Sequence, residues 1–187
     1  MTTATAALAA GTWIADPVHS DLAFRVRHMG VGRVRGIFAL TSATLTVGDD
    51  GLPGSSVTAV VDASSVDTGN EQRDQHVRSA DFLDVEQFPT MEFASTAVRD
   101  LDGATFTLDG ELTIHGVTRP VELAAEWFGV VDDPSGAERT GFSATTTISR
   151  AAFGVDIRLL FGAGQAVVAD AIEIALEIEF VAEGGAR

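Results

Sequence analysis

Cysteine, lysine and tyrosine are all absent from this 187-residue chain, and each absence removes a set of functions. Without cysteine there is no disulfide, thiolate zinc site, iron–sulfur cluster or cysteine nucleophile. Without lysine, all 12 basic residues are arginine, and against 27 acidic residues the net charge is −15. That balance argues against a nucleic-acid partner and repels an anionic surface overall. A local cluster, Arg25, Arg27, Arg33 and Arg35, can still attract a phosphate group. No apolar run approaches the ~18 to 20 residues of a membrane-spanning helix, so no membrane span is expected. The phosphate-binding loops GxxxxGK[ST] and GxGxxG, the zinc motif HExxH and the nucleophile elbow GxSxG are missing. The four histidines, His19, His28, His76 and His115, show no paired ligand spacing, so neither metal nor cofactor is expected.

What remains is 45% hydrophobic and 21% charged, a globular composition of a length that suits one core. Met1 to Gly11 is small and apolar but has no basic n-region or long apolar h-region. It reads as a flexible tail, residues 1–11, on a cytoplasmic protein, with a second short tail over 183–187.

Period-two alternation dominates the rest. In Thr105 to His115, Phe106, Leu108, Leu112 and Ile114 share one face, the pattern of a half-buried strand. A hairpin turn at Asp109-Gly110 would break that phase, so the segment reads as one strand with Gly110 as a bend or bulge. Ile172 to Phe180 alternates likewise, with Glu173, Glu177 and Glu179 on the outer face. Similar phases around residues 22–26, 34–40, 57–61, 91–93, 121–127 and 142–148, together with Thr12 to Asp16, give about eight or nine strands. The turn clusters at Gly48 to Gly51, Asp100 to Gly103 and Asp132 to Gly136 suit antiparallel neighbours.

One helix interrupts the strands. Asn70 can cap Glu71 to Arg78, and a second short turn runs to Leu83, which places a polar, lid-like element over about 70–83 with Val77, Phe82 and Leu83 as contacts. Arg73 and His76, three residues apart, share a face; they either tie the helix to neighbouring loops or serve acid–base or phosphate chemistry. Arg150 continues the inward phase of Phe142, Ala144, Thr146 and Ile148, so it needs a partner: a carboxylate such as Asp84 or Asp156, or an anionic headgroup. Phe153 to Ala169 reads as a long loop. Many of the aromatic residues lie on inward phases, which fits a packed core and equally fits a barrel interior lined for a hydrocarbon.

Four ordered motifs resemble the YceI-like, polyisoprenoid-binding family of bacterial proteins. They are Thr68-Gly-Asn-Glu-Gln-Arg-Asp-Gln-His-Val-Arg-Ser-Ala-Asp-Phe-Leu-Asp84, Phe88-Pro-Thr-Met-Glu-Phe-Ala-Ser95, Gly110-Glu-Leu-Thr-Ile-His-Gly-Val-Thr-Arg-Pro-Val121 and Ile148-Ser-Arg-Ala-Ala-Phe-Gly-Val155. Asp16 to Phe24 and Gly36 to Phe38 extend the similarity. The resemblance implies a mainly β fold over 12–182: a single antiparallel, lipocalin-like β-barrel of about eight strands with its helix near the mouth. It implies a tunnel for an isoprenoid, quinone or fatty-amide chain, frequent homodimers and no established catalysis.

Carried over by position, the tunnel lining falls on Phe24, Phe38, Phe82, Phe93, Phe106, Ile114, Trp127, Phe142 and Phe153, with Arg73, His76 and Arg150 as headgroup or lid contacts. The first expectation is therefore a non-enzymatic lipid-binding barrel. Its rivals are an enzyme acting on a prenyl phosphate or ester at the mouth, and a structural barrel packed shut.

Overall fold

The period-two segments form strands, and the strands close on themselves. The computed structural model describes residues 8–157, 160–162 and 164–184; most of the predicted N-terminal tail and residues 185–187 lie outside them. The strands are β1 (Gly11–Ala15), β2 (Asp21–His28), β3 (Gly32–Gly48), β4 (Gly51–Asp67), β5 (Thr90–Asp102), β6 (Thr105–Ile114), β7 (Val117–Asp132), β8 (Glu138–Ser149), β9 (Leu160–Phe161), β10 (Gln165–Ala166) and β11 (Val168–Ala182). All pairings are antiparallel, and the order β11-β2-β3-β4-β5-β6-β7-β8 returns to β11, a ring of about eight positions.

β1 and β2 occupy one position in that ring. β1 pairs with β3 through Trp13↔Leu45 and with β11 through Trp13↔Ala182, while β2 pairs with β3 through Leu22↔Phe38 and with β11 through Leu22↔Leu176. The two are a single stave interrupted at Pro17–His19, where Pro17 opens a 3-10 turn capped by the Asp16 carboxylate.

β6 runs unbroken from Thr105 to Ile114, as its apolar phase requires. The hairpin comes after it: His115 and Gly116 both take left-handed φ values, 52° and 70°, the backbone of a two-residue turn whose twist matches its strands. Bulges explain why the apolar phase of the longer strands appeared to stop. In β3 the register with β4 slips between Leu40 and Ser42, so the buried set changes from Gly36 and Leu40 to Ala43, Leu45 and Val47.

The barrel has unlike ends. Short turns at 49–50, 103–104 and 133–137 close one, and there Leu8, Trp13, Val47, Leu52, Phe106, Val130 and Phe180 belong to one buried cluster. Leu8 is part of that plug and the Trp13 indole N–H donates to the Ala9 carbonyl at 3.1 Å, so residues ahead of Thr12 pack on the barrel end. The other end carries the β2–β3 hairpin, the helical segment after β4 and the segment between β8 and β11. The long loop predicted over Phe153 to Ala169 contains structure: Phe153 ends a 3-10 turn and is buried, and β9 and β10 form a small hairpin.

Candidate functional site

The interior faces of the strands enclose a cavity of about 630 Å³, within the ~300–1,000 Å³ common for small-molecule sites. It runs from Leu52, Val98 and Phe180 at the plugged end to Val26, Val155 and Val168 at the open end. Aliphatic and phenylalanine side chains dominate its wall, and polar groups gather mainly at the mouth, where Asn70, Gln72, Arg73 and His76 come from the helical segment. Such a wall offers a long apolar guest burial over most of its length and hydrogen bonding near one end.

Eight of the nine predicted lining residues border this cavity. Phe106, Ile114 and Phe153 are buried, whereas Phe24, Phe38, Phe82, Phe93 and Phe142 are only half-buried although they point inward. Aromatic rings in a fully packed core lose nearly all their exposure; these border open interior volume, which is evidence against a barrel packed shut. The ninth, Trp127, does not border the cavity. Trp127 keeps the inward phase of its strand, directly opposite Phe142, but it stands at the plugged end, where its indole N–H donates to Thr140 Oγ1 at 2.8 Å. The aliphatic lining from β2 and β11, including Leu22, Val26, Ile174, Leu176 and Ile178, was not singled out, although its alternation was visible in the sequence.

Helix α1 (Glu71–Arg78) sits at the mouth with Asn70 as its cap, the Asn70 side chain accepting from the Arg73 amide at 3.0 Å. Its anchoring is electrostatic. Asp74, 3% exposed, accepts from both the amide and the hydroxyl of Thr68. Burial raises the pKa of this carboxyl, but the two Thr68 hydrogen bonds with Arg78 and Arg73 nearby outweigh it, leaving the pKa below its usual value. Arg73 donates to the Thr68 hydroxyl at 2.7 Å and carbonyl at 2.9 Å. Arg78 donates to the Ser64 carbonyl at 2.7 Å and the Val66 carbonyl at 2.8 Å, a strap between α1 and β4 that the sequence reading missed. His76 lies 3.2 Å from Asp81 and edge-on to Phe82, with ring centroids 4.9 Å apart. The Arg73, Asp74 and His76 group thus makes architectural contacts, while Arg73 and His76 also face the mouth.

Arg150 points inward as its phase requires, and among the described residues its guanidinium hydrogen-bonds main-chain carbonyls, with the Asp170 carboxylate near enough to feel its charge. Its guanidinium donates to Ala169 at 3.1 Å, Val155 at 2.5 Å, Ile157 at 3.1 Å and Val168 at 3.3 Å. Five fixed N–H donors in a plane can gather carbonyls from several turns of chain, which the ammonium of lysine cannot do. Arg150 therefore holds the segment after Phe153 against the rim.

At the plugged end Asp16, His19 and Glu179 converge in a set that resembles metal ligands. Arg139 donates to both Asp16 and Glu179, and also to Asp133 at 2.8 Å. The Asp16 carboxyl is held well below the usual range, first by Arg139 and then by His19. The cluster behaves as an ion-pair knot between the strand ends.

Residues 13–180 match the profile of the YceI-like domain. The chain belongs to the YceI-like family. A UPF0312 protein of Vibrio vulnificus is 37% identical over 139 residues, 74% of each chain. Among solved structures, Burkholderia cenocepacia BcnA superposes with a TM-score of 0.72 at 21% identity, covering 88% of this chain and 98% of its own. A polyisoprenoid binding domain from Saccharophagus degradans, implicated in plant cell wall breakdown, gives a TM-score of 0.65 at 15% identity, covering 91% and 98%. These YceI-like folds share the mainly β, ring-closed architecture with one helix found here.

Proposed function

We propose that this YceI-like protein binds, and so carries or stores, a long-chain isoprenoid, quinone or similar amphiphilic lipid, without catalysing its conversion. The observation that carries the reading is the apolar cavity of about 630 Å³ inside the ring of strands, with polar groups gathered at its mouth. A hydrocarbon chain would lie along the phenylalanine and aliphatic wall, and a polar head would meet Arg73, His76 and the neighbouring amides. The polyisoprenoid binding domain with the same fold supports this cargo class. The hydrogen bonding of Arg73 and Arg150 to Thr68 and to main-chain carbonyls supports a binding role over a catalytic one.

Each five-carbon isoprene unit contributes on the order of 3 kcal/mol of gross transfer free energy, at ~0.8 per methylene with imperfect packing. Ordering a flexible chain offsets part of that gain, so discrimination by length is expected to be weak.

The test is organic extraction of gently purified protein followed by mass spectrometry, with native mass spectrometry for stoichiometry. A stoichiometric polyprenyl or quinone species, lost in Phe142→Arg while the strands stay folded by circular dichroism, is the expected result. A folded protein that takes up no lipid after incubation with candidates, or a Phe142→Arg variant that keeps its load, overturns the reading.

A further inference from the structure

The β2–β3 hairpin carries a charge arrangement that works against its own stability. Its register sets Arg25 opposite Arg35 and Arg27 opposite Arg33, and all four side chains are exposed. Like charges directly across an antiparallel pair repel. Among the described ion pairs the hairpin has one: Glu173 lies opposite Arg25 on β11 and 3.7 Å from Arg33, and Asp170 follows on β11 between the partners of Val26 and His28. Four of the 12 arginines of a chain with net charge −15 are thus concentrated on one projecting hairpin. The opposite, plugged end is acidic, with Asp49, Asp50, Asp100, Asp102, Asp132 and Asp133 in or beside its turns.

The tip of the same hairpin is apolar and open to solvent. Val31 is 90% exposed, Met29 37% and, on the adjoining β9–β10 hairpin, Leu160 60%. The two hairpins touch: the Met29 amide donates to the Val167 carbonyl at 2.8 Å, and Met29, Gly30 and Ala166 border one shallow depression. Arg27, His28, Val167 and Val168 of this rim also border the main cavity, so cations, exposed apolar side chains and the tunnel mouth share one end of the barrel.

We propose that this rim docks on the surface of an anionic lipid bilayer. Guanidinium groups of the hairpin would meet lipid phosphates, and Val31, Met29 and Leu160 would enter the boundary of the acyl region. An extended polyanion such as nucleic acid would gain nothing from the apolar tip and would run along acidic surface. A bilayer meets one end only: the acidic turns stand at the far end of the barrel, beyond the ~8 Å screening length of physiological salt, and the exposed Glu71, Asp81 and Glu86 of the mouth belong to the helical segment and not to the hairpin. Docking brings the tunnel mouth to the membrane; that consequence rests on the carrier reading, whereas the docking itself does not.

The experiment is sedimentation of the full chain with phosphatidylcholine vesicles, with and without phosphatidylglycerol, at low and high salt. Binding is expected with phosphatidylglycerol at low salt, and it should weaken at high salt and with phosphatidylcholine alone. Each arginine near an anionic surface is worth about five-fold in partitioning, so Arg33→Gln with Arg35→Gln should lose about twenty-five-fold at a melting temperature no lower than that of the parent protein. Val31→Ser should lose about ten-fold. No vesicle binding, equal binding to both vesicle types, or variants that bind like the parent protein would overturn the proposal. So would an oligonucleotide that binds more tightly than the vesicles, which would point to nucleic acid. Mass spectrometry of lipid extracted from the same samples separates the two readings: vesicle binding by protein that carries no lipid defeats the carrier and leaves the docking standing.

Discussion

Phe24 lies across the strands from Gly36, its ring occupying the place a side chain at Gly36 would take. A β-carbon there would stand 2.4 Å from Phe24 Cζ and 2.9 Å from Thr68 Cγ2. The ring is thereby laid along the cavity wall, tilted against Phe38 at a centroid separation of 5.3 Å. Phe93 likewise covers Gly110, reaching it diagonally from its place opposite Leu112, and the Ala94 carbonyl would stand 2.7 Å from the added atom. Gly36→Ala should push Phe24 into the tunnel and lower lipid uptake several-fold, at about 1–3 kcal/mol of stability. Gly110→Ala should be the more damaging change, since a main-chain carbonyl cannot rotate away. Lipid titration and denaturant melts of both variants check this order.

Filling the tunnel separates cargo binding from folding. Ala144 borders the cavity between Ala125 and Leu176 of the flanking strands. Ala144→Phe should reduce co-purifying lipid at least about ten-fold while the melting temperature stays near that of the parent, because the added ring takes up cavity and not packed volume. Extraction with mass spectrometry and calorimetry on one preparation reads both quantities.

Acid should release helix α1. Asp74 has a depressed carboxyl pKa in the folded protein, so its contribution is complete above the ordinary value of 3.8 and is lost as pH falls through the depressed one. Asp74→Asn is expected to cost about 1–2 kcal/mol at neutral pH. The gap between variant and parent should narrow as the pH is taken below 3.8, because the parent then also begins to lose the charge. Melting temperatures at several pH values test the sign; a gap that widens on acidification contradicts it.

The rim depends on Arg150. Removing a guanidinium that gathers four main-chain carbonyls from residues 155–169 should loosen that segment ahead of the barrel. Arg150→Gln should speed amide exchange there by at least about ten-fold while the β6 and β7 amides stay protected, and Arg150→Lys should restore little. Hydrogen exchange read by mass spectrometry distinguishes this from uniform destabilisation.

Where one physical rule governs a segment, the sequence was a good guide. Alternation located β6 and most of β11, and the Asn70 cap located α1, because each depends on neighbours in the chain. The bulges in β3 and β7 were not legible, since each is fixed by register with a partner strand; Trp127 kept its inward phase, and alternation alone could not tell that its level in the barrel is plugged. Arg150 was recognisable as inward-pointing, but its carbonyl partners belong to a segment with no alternation of its own. The tunnel residues from β2 and β11 were patterned like any core strand, and only the closed ring shows that they face a cavity.

Ring closure has a consequence for how the protein comes into being. β11 joins β8 on one side to both halves of the interrupted stave on the other, and it follows every other strand of the ring in chain order. Until it is made, β2 and β8 present bare edges and the future tunnel is an open trough of phenylalanine and valine, the kind of surface that self-associates. The nascent chain thus passes through its most aggregation-prone stage just before β11 closes the ring, a stage at which an amphiphile in the trough would act as a temporary chaperone.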